Sequence, residues 1–169
     1  REVLDQGVPD LDAVLQRVSR TFALNIRLLA GPFREAVGTA YLLCRAADTL
    51  EDSWPGTADE IRTRCDLLLR SLGDDDAPAE ELAAAASGRT GAGSDLELVA
   101  GLPRVRRVWR ALPAGDREAI AGGLRIMTAG MRRYAPRAAE RAPGTPYLDT
   151  GAELHDYCWV VAGCVGVML

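Results

Sequence analysis

Apolar residues recur along this chain at intervals of three and four, and nowhere do they alternate with polar residues at the period of two that a half-buried strand requires. The pattern predicts an all-α protein. Asp10 caps a short helix reaching about Arg17, and Ser19-Arg-Thr-Phe22 interrupts it before the apolar stretch Ala23 to Ala30. Gly31-Pro32 breaks the chain again. Pro32 then suits the first turn of a helix that continues to Trp54-Pro55-Gly56. Thr57 followed by Glu60 has the form of a capping box and starts a helix to about Leu72. Residues 73 to 94, acidic and then rich in Ala, Gly and Ser, read as a mobile connection or a frayed short helix. Helix resumes from Asp95 to Ala111, with Pro103 kinking or dividing it. From Asp116 to Tyr134 the pattern is strongly amphipathic, with Ile120, Leu124, Met127, Met131 and Tyr134 on one side. Pro136 to Pro146 reads as a loop, and a last helix begins near Gly151.

That last helix puts Tyr157, Val161, Cys164, Val165 and Met168 on one face, while Ala162, Gly163 and Gly166 keep part of its surface shallow. Interior helical glycines cost about 1 kcal/mol each relative to Ala and ask for a reason. Close helix packing is one; a slot for a long flat hydrocarbon, with the Tyr157 hydroxyl at its polar end, is the other.

A length of 169 residues with 48% hydrophobic content is enough for one sizeable core, so a single domain over residues 1–169 is expected. Aromatic residues make up only 5%, which with abundant Ala, Leu and Arg favours helix over sheet. The net charge of −4 argues against a general nucleic-acid binder. No apolar run approaches the roughly 20 residues needed to span a bilayer, and no signal peptide is visible, so the expected location is cytoplasmic. Cys44, Cys65, Cys158 and Cys164 lie in helical apolar contexts without metal-ligand spacing and read as reduced core thiols. His155 is the single histidine, which argues against a His-based zinc site, and is expected to be exposed. The chain starts at Arg1 rather than Met. It stops within an apolar helix without Gly cap, Pro or polar tail, so it reads as the front portion of a longer protein.

The strongest chemical signal is Tyr41-Leu-Leu-Cys-Arg45-Ala-Ala-Asp48-Thr-Leu-Glu51-Asp52. Tyr41, Arg45, Asp48 and Asp52 are spaced four, three and four apart, which aligns them on one face of an α-helix whose other faces are apolar. An ionic row of this kind cannot lie in a dry core, where unpaired charge costs several kcal/mol or more. It should line a polar cavity. Carboxylates one turn apart suit a hard cation such as Mg²⁺, and the Arg suits the phosphate that such a cation accompanies. An exposed helix carrying Arg–Asp pairs explains the spacing equally well. Other motifs are weaker. Gly88-Arg-Thr-Gly91-Ala-Gly93-Ser has the composition of a phosphate loop but follows no strand and reads as a linker. Arg104, Arg106, Arg107 and Arg110 read as the wet face of a helix, and Asp74-Asp75-Asp76 as a solvated turn.

Taken together, Ser19-Arg-Thr-Phe22, the acidic stripe, and Tyr157-Cys-Trp-Val-Val-Ala-Gly163-Cys-Val-Gly166 resemble the squalene/phytoene synthase family, in order and spacing, across essentially the whole chain. The Asp-Thr-Leu-Glu-Asp form looks more like squalene synthases than phytoene synthases. The resemblance implies the all-α isoprenoid synthase fold, with helices around a central cavity. It also implies a Mg²⁺-dependent prenyltransferase that joins two farnesyl diphosphates head-to-head through presqualene diphosphate, giving squalene or a related C30 product. Carried over residue by residue, Asp48, Glu51 and Asp52 would bind Mg²⁺, and Arg45 with Ser19, Arg20 and Thr21 would hold phosphate oxygens. Phe22 and Tyr41 would line the cavity near the allylic carbon. Tyr157 would handle the proton lost in cyclopropane formation, and Val161, Ala162, Gly163 and Val165 would touch the prenyl chains. Arg45, Asp48, Asp52 and Tyr157 are thus the expected catalytic set.

In one respect the chain departs from the family, which uses two acidic motifs on facing helices. The second has no counterpart here, since Asp149, Glu153 and Asp156 do not match its context. The absence is expected to reflect the cut at Leu169. A true loss would favour a non-catalytic relative retained as a binding or assembly partner. Condensation of two geranylgeranyl diphosphates, as in phytoene synthases, is the catalytic alternative. NADPH use, a monomer or homodimer, and peripheral membrane contact for release of an apolar product complete the expectations.

Overall fold

The computed structural model describes residues 11–89, 93–142 and 144–168, and among them there is helix and no strand. Helix α1 covers 11–18; α2 is Arg20–Arg27 and α3 Gly31–Asp48. A π-helical turn, Thr49–Ser53, extends α3. Then follow α4 (Ala58–Arg70), α5 (Ala77–Ser87), α6 (Ser94–Ala100), α7 (Leu102–Ala111), α8 (Ala114–Ala139) and α9 (Gly151–Val161), with a 3₁₀ turn over Gly163–Val167. No helix is long and apolar enough to cross a membrane among the described residues.

Helix α3 is the centre of the bundle and touches α2, α6, α7 and α8. Its small and aliphatic residues Ala40, Leu42, Leu43, Cys44, Ala46 and Ala47 are all buried, so it is packed on nearly every side except the stripe. The buried hydroxyls of Thr39 and Thr49 donate back to the carbonyls of Glu35 (2.7 Å) and Arg45 (2.8 Å), which removes the cost of burying them unpaired. Ile120, Leu124, Met127, Met131 and Tyr134 of α8 are buried as the amphipathic pattern predicts. The capping box at Thr57 and Glu60 is present, and Pro103 stands in the first turn of α7 after a break at Gly101.

Four expectations are corrected. Residues 77–87 form an ordered helix, because Pro78, Ala79, Leu82, Ala83 and Ala86 bury one face against α4, α6 and α7. A small-residue surface packs closely there and needs no bulky apolar stripe to be recognised. Pro136 does not begin a loop; it lies in the last turns of α8, which runs on to Ala139. Arg106 is not on a wet face: it is 3% exposed and binds the acidic turn at 74–76. Cys158 is exposed, while Cys44, Cys65 and Cys164 are buried free thiols. His155 is exposed as expected. The Asp10 cap and residues 90–92 of the glycine-rich segment lie outside the described residues.

Candidate active site

The stripe follows α-helical spacing only as far as Asp48. Beyond it the chain widens into the π turn carrying Glu51 and Asp52, so the alignment expected from 3.6 residues per turn ends there. Its exit is clasped from α4. Arg64, itself buried, donates to the carbonyls of Trp54 (2.6 Å), Pro55 (3.2 Å) and Leu50 (3.4 Å), and its guanidinium lies over the Trp54 ring at 4.6 Å. A Cβ on Gly56 would stand 2.2 Å from Arg64 Nη2. With that guanidinium pinned by three carbonyls, glycine is required at the turn.

Charge on the stripe is poorly compensated. Burial, opposed by Arg45 and reinforced by Asp52 and Asp95, raises the Asp48 carboxyl to about 6. Burial, with Asp52 and Asp48 nearby, raises Glu51 to about 7. Arg45 Nη2 pairs with Asp95 at 2.8 Å, and Ser53 Oγ donates to the same carboxylate oxygen at 3.4 Å. Arg45 Nε is buried and has no hydrogen-bond partner among the described residues. No three His, Cys, Asp or Glu side chains among the described residues converge closely enough to enclose a metal ion.

The other expected residues gather beside this row to different degrees. Ser19 is the N-cap of α2, with its hydroxyl accepting from the Phe22 amide at 3.4 Å, and Arg20 and Thr21 are exposed in the first turn. Phe22 is 53% exposed and stacks on Tyr41 with ring centroids 4.8 Å apart, which joins the α2 motif to the stripe. Tyr157 on α9 stands edge-on to Tyr134 (5.3 Å) and Tyr147 (5.9 Å). Burial, a hydrogen bond with Tyr147 and the charges of Glu51 and Asp52 all raise its pKa, so the phenol stays protonated.

The far end of the last helix differs from expectation. Ala162 adopts φ −139°, ψ −48°, which ends α9, and the 3₁₀ turn then redirects the chain. The continuous face from Tyr157 to Met168 is therefore broken. Ala162 and Gly163 are exposed, Val161 and Val165 half-buried, and Cys164 buried. The Trp159 ring occupies the space a Cβ on Gly163 would need, 2.8 Å from it at Cε3, and Gly166 has open space. The tight approach is on the opposite helix: a Cβ on Gly130 of α8 would lie 2.5 Å from Cβ of Val160. A shallow cleft of about 1010 Å³ opens by Arg141, Tyr147, Leu148 and Leu154, away from the acidic row. Asp95, Arg64 and Tyr147 were the residues sequence reasoning missed: Asp95 and Arg64 reach the stripe and its exit from other helices, and Tyr147 reaches Tyr157 from a loop.

Residues 15–169 match the Squalene/phytoene synthase family. The chain belongs to that family. Botryococcus squalene synthase from Botryococcus braunii is 30% identical over 166 residues, 98% of this chain and 32% of that protein. Squalene synthase 1 from Arabidopsis thaliana is 30% identical over 157 residues, 93% of this chain and 34% of that one. The structure of TcSQS with the ligand E5700 superposes with a TM-score of 0.74 at 30% identity, over 96% of this chain and 42% of that one. The fold is thus the all-α isoprenoid synthase fold, and the chain spans about a third of the length of the curated relatives it matches.

Proposed function

We propose that this chain supplies the acidic, diphosphate-binding face of a prenyltransferase that condenses two farnesyl diphosphates head-to-head through presqualene diphosphate to a C30 hydrocarbon. The observation that carries the reading is the unmet electrostatic demand at the stripe: two raised carboxyls, one at the end of α3 and one in the π turn, beside the Arg45 guanidinium. Arg34 and Arg132 also keep a lone Nε within their ion pairs, so it is the two raised carboxyls that set the stripe apart and leave it for a ligand carrying a cation, with Arg45 beside them for its anion.

The donor set fits Mg²⁺. Asp48, Glu51 and Asp52 offer hard oxygen ligands, and burial with the neighbouring carboxylates opposes ionisation of Asp48 and Glu51 until a cation arrives. A site using one or two carboxylates, with water and substrate phosphate filling the other positions, needs no enclosing protein cage. When bound, the cation neutralises charge developing on the departing diphosphate. Arg45, 35% exposed, holds a phosphate oxygen through its guanidinium, and the exposed first turn of α2, with Ser19, Arg20 and Thr21, stands ready for another. Phe22 and Tyr41 present stacked aromatic faces to the allylic carbocation left as the C1–O bond breaks. Tyr157, kept as the phenol, passes a proton only once the released diphosphate can accept it. Val161, Ala162, Gly163 and Val165 meet the prenyl chains.

Incubating the full-length protein with farnesyl or geranylgeranyl diphosphate and Mg²⁺, with and without NADPH, tests this reading. Mass spectrometry of the extract should show a C30 product from farnesyl diphosphate. A C40 product would favour the phytoene-type condensation, and no turnover of either would favour the binding partner.

A further inference from the structure

We infer that Asp95 is a positioning residue for Arg45, setting the guanidinium that the proposed function assigns to diphosphate; the inference rests on that reading. Asp95 lies in the first turn of α6, fifty residues along the chain from Arg45, and α6 packs against both α3 and the π turn. Its Oδ2 accepts from Arg45 Nη2 at 2.8 Å and from Ser53 Oγ at 3.4 Å, so one carboxylate oxygen ties the middle of the stripe to the end of the acidic turn. Both partners are partly buried, at 35% and 24% side-chain exposure, which limits solvent screening of the pair. Arginine has a long side chain with several rotamers, and held by one Nη it loses that freedom before any ligand arrives. The geometry also divides the fork: Nη2 is occupied by Asp95, while the side chain as a whole stays 35% exposed, so the rest of the guanidinium remains within reach of a phosphate oxygen.

Asp95 is itself an anion and could instead compete with diphosphate for Arg45. The two roles give opposite signs. Titration calorimetry of inorganic diphosphate with Mg²⁺ on the full-length protein separates them, using Asp95→Ala, Asp95→Asn, Asp95→Glu, Arg45→Ala and the Arg45→Ala/Asp95→Ala pair. If Asp95 positions Arg45, Asp95→Ala weakens binding about tenfold. Asp95→Asn, which keeps the acceptor oxygen, should stay within about threefold of the parent, and Asp95→Glu, with a displaced carboxylate, should fall between. With Arg45 already removed, Asp95→Ala should change binding by less than about twofold, because its effect runs through the missing side chain. Tighter binding by both Asp95→Ala and Asp95→Asn, or an effect of Asp95→Ala that persists without Arg45, overturns the inference. Normal diphosphate binding by Arg45→Ala alone would overturn the role of Arg45 itself, and so the reading beneath it.

Discussion

The ionic row at the end of α3 and the one between α7 and the 73–76 turn use the same residue types and reach opposite electrostatic states. In the second, Arg106 donates through Nε, Nη1 and Nη2 to the Ser71 carbonyl, the Asp76 carboxylate and the carbonyls of Gly73 (2.8 Å) and Asp75 (2.9 Å). Arg110 adds the Asp74 carbonyl at 2.6 Å and Asp76 at 3.2 Å. Burial lowers the pKa of Arg106, yet its donors are matched. The stripe, by contrast, leaves Arg45 Nε unpaired and keeps two carboxyls raised. The Arg106 cluster closes on itself, whereas the stripe holds two carboxyls above their ordinary range, a cost that a bound cation would relieve.

The sharpest way to break this comparison is Asp48→Asn, with Asp52→Asn beside it. Each removes one charge at constant size. Prenyl diphosphate turnover by the full-length protein should fall at least about 100-fold, the scale seen when one charge-stabilising group is lost. The thermal midpoint measured without Mg²⁺ should hold or rise for Asp48→Asn, because a desolvated like-charged carboxylate is relieved. A drop of several degrees would make the stripe a structural element.

Tyr157→Phe should bind farnesyl diphosphate with little change while cyclopropyl product falls at least about 100-fold, in the range of a lost acid–base group. Retained product would reduce Tyr157 to the packing partner of Tyr134 and Tyr147 that its edge-on contacts describe.

Arg106→Ala sharpens the comparison from the other side. It strips partners from three backbone carbonyls and one carboxylate and should cost about 3 kcal/mol in urea unfolding, a large share of a domain's stability. In protein that remains folded, turnover should be near normal. A folded but inactive Arg106→Ala would show that the two clusters are coupled.

Gly130→Ala is a smaller test of the surface that seats α9, and with it Tyr157, on α8. The new Cβ overlaps Val160 at its stiff branch point, so α9 must shift, at about 1–3 kcal/mol. Adding Val160→Ala should recover much of that loss. An additive double variant would mean that α8 and α9 do not meet as described.

The helices were legible in the sequence where a wide apolar stripe or a local capping signal marked them, as in α3, α4 and α8. Alanine-rich α5 was not, since its fit depends on neighbours close enough to exploit small side chains. Around the stripe, the shared helix face of Tyr41, Arg45 and Asp48 was readable from spacing. Asp95 and Arg64 were unreadable, because an isolated Asp or Arg carries no sign of the carbonyl or guanidinium it meets across the bundle. The π turn was equally hidden: Thr-Leu-Glu-Asp-Ser has no residue that enforces it, and the clasp by Arg64 comes from α4.

The smallest expected effect concerns the acids of the last helix, where charge is again fully matched. Glu153 receives Arg137 at 2.7 Å and the Asp149 amide at 2.7 Å, and these bonds hold its carboxyl down from 4.5 to about 2. A carboxyl lowered in the folded state binds its proton more readily when unfolded. Its contribution to stability is therefore present above about pH 4.5 and is lost as pH falls toward 2. The site is open to solvent, so the difference should be a few degrees at most. Thermal midpoints of the parent and Glu153→Gln should differ at pH 7 and converge near pH 2. Curves that stay parallel across that range would place the value of Glu153 in packing at the start of α9 rather than in its charge. The matched cluster would then owe its stability to something other than the pairing that distinguishes it from the stripe.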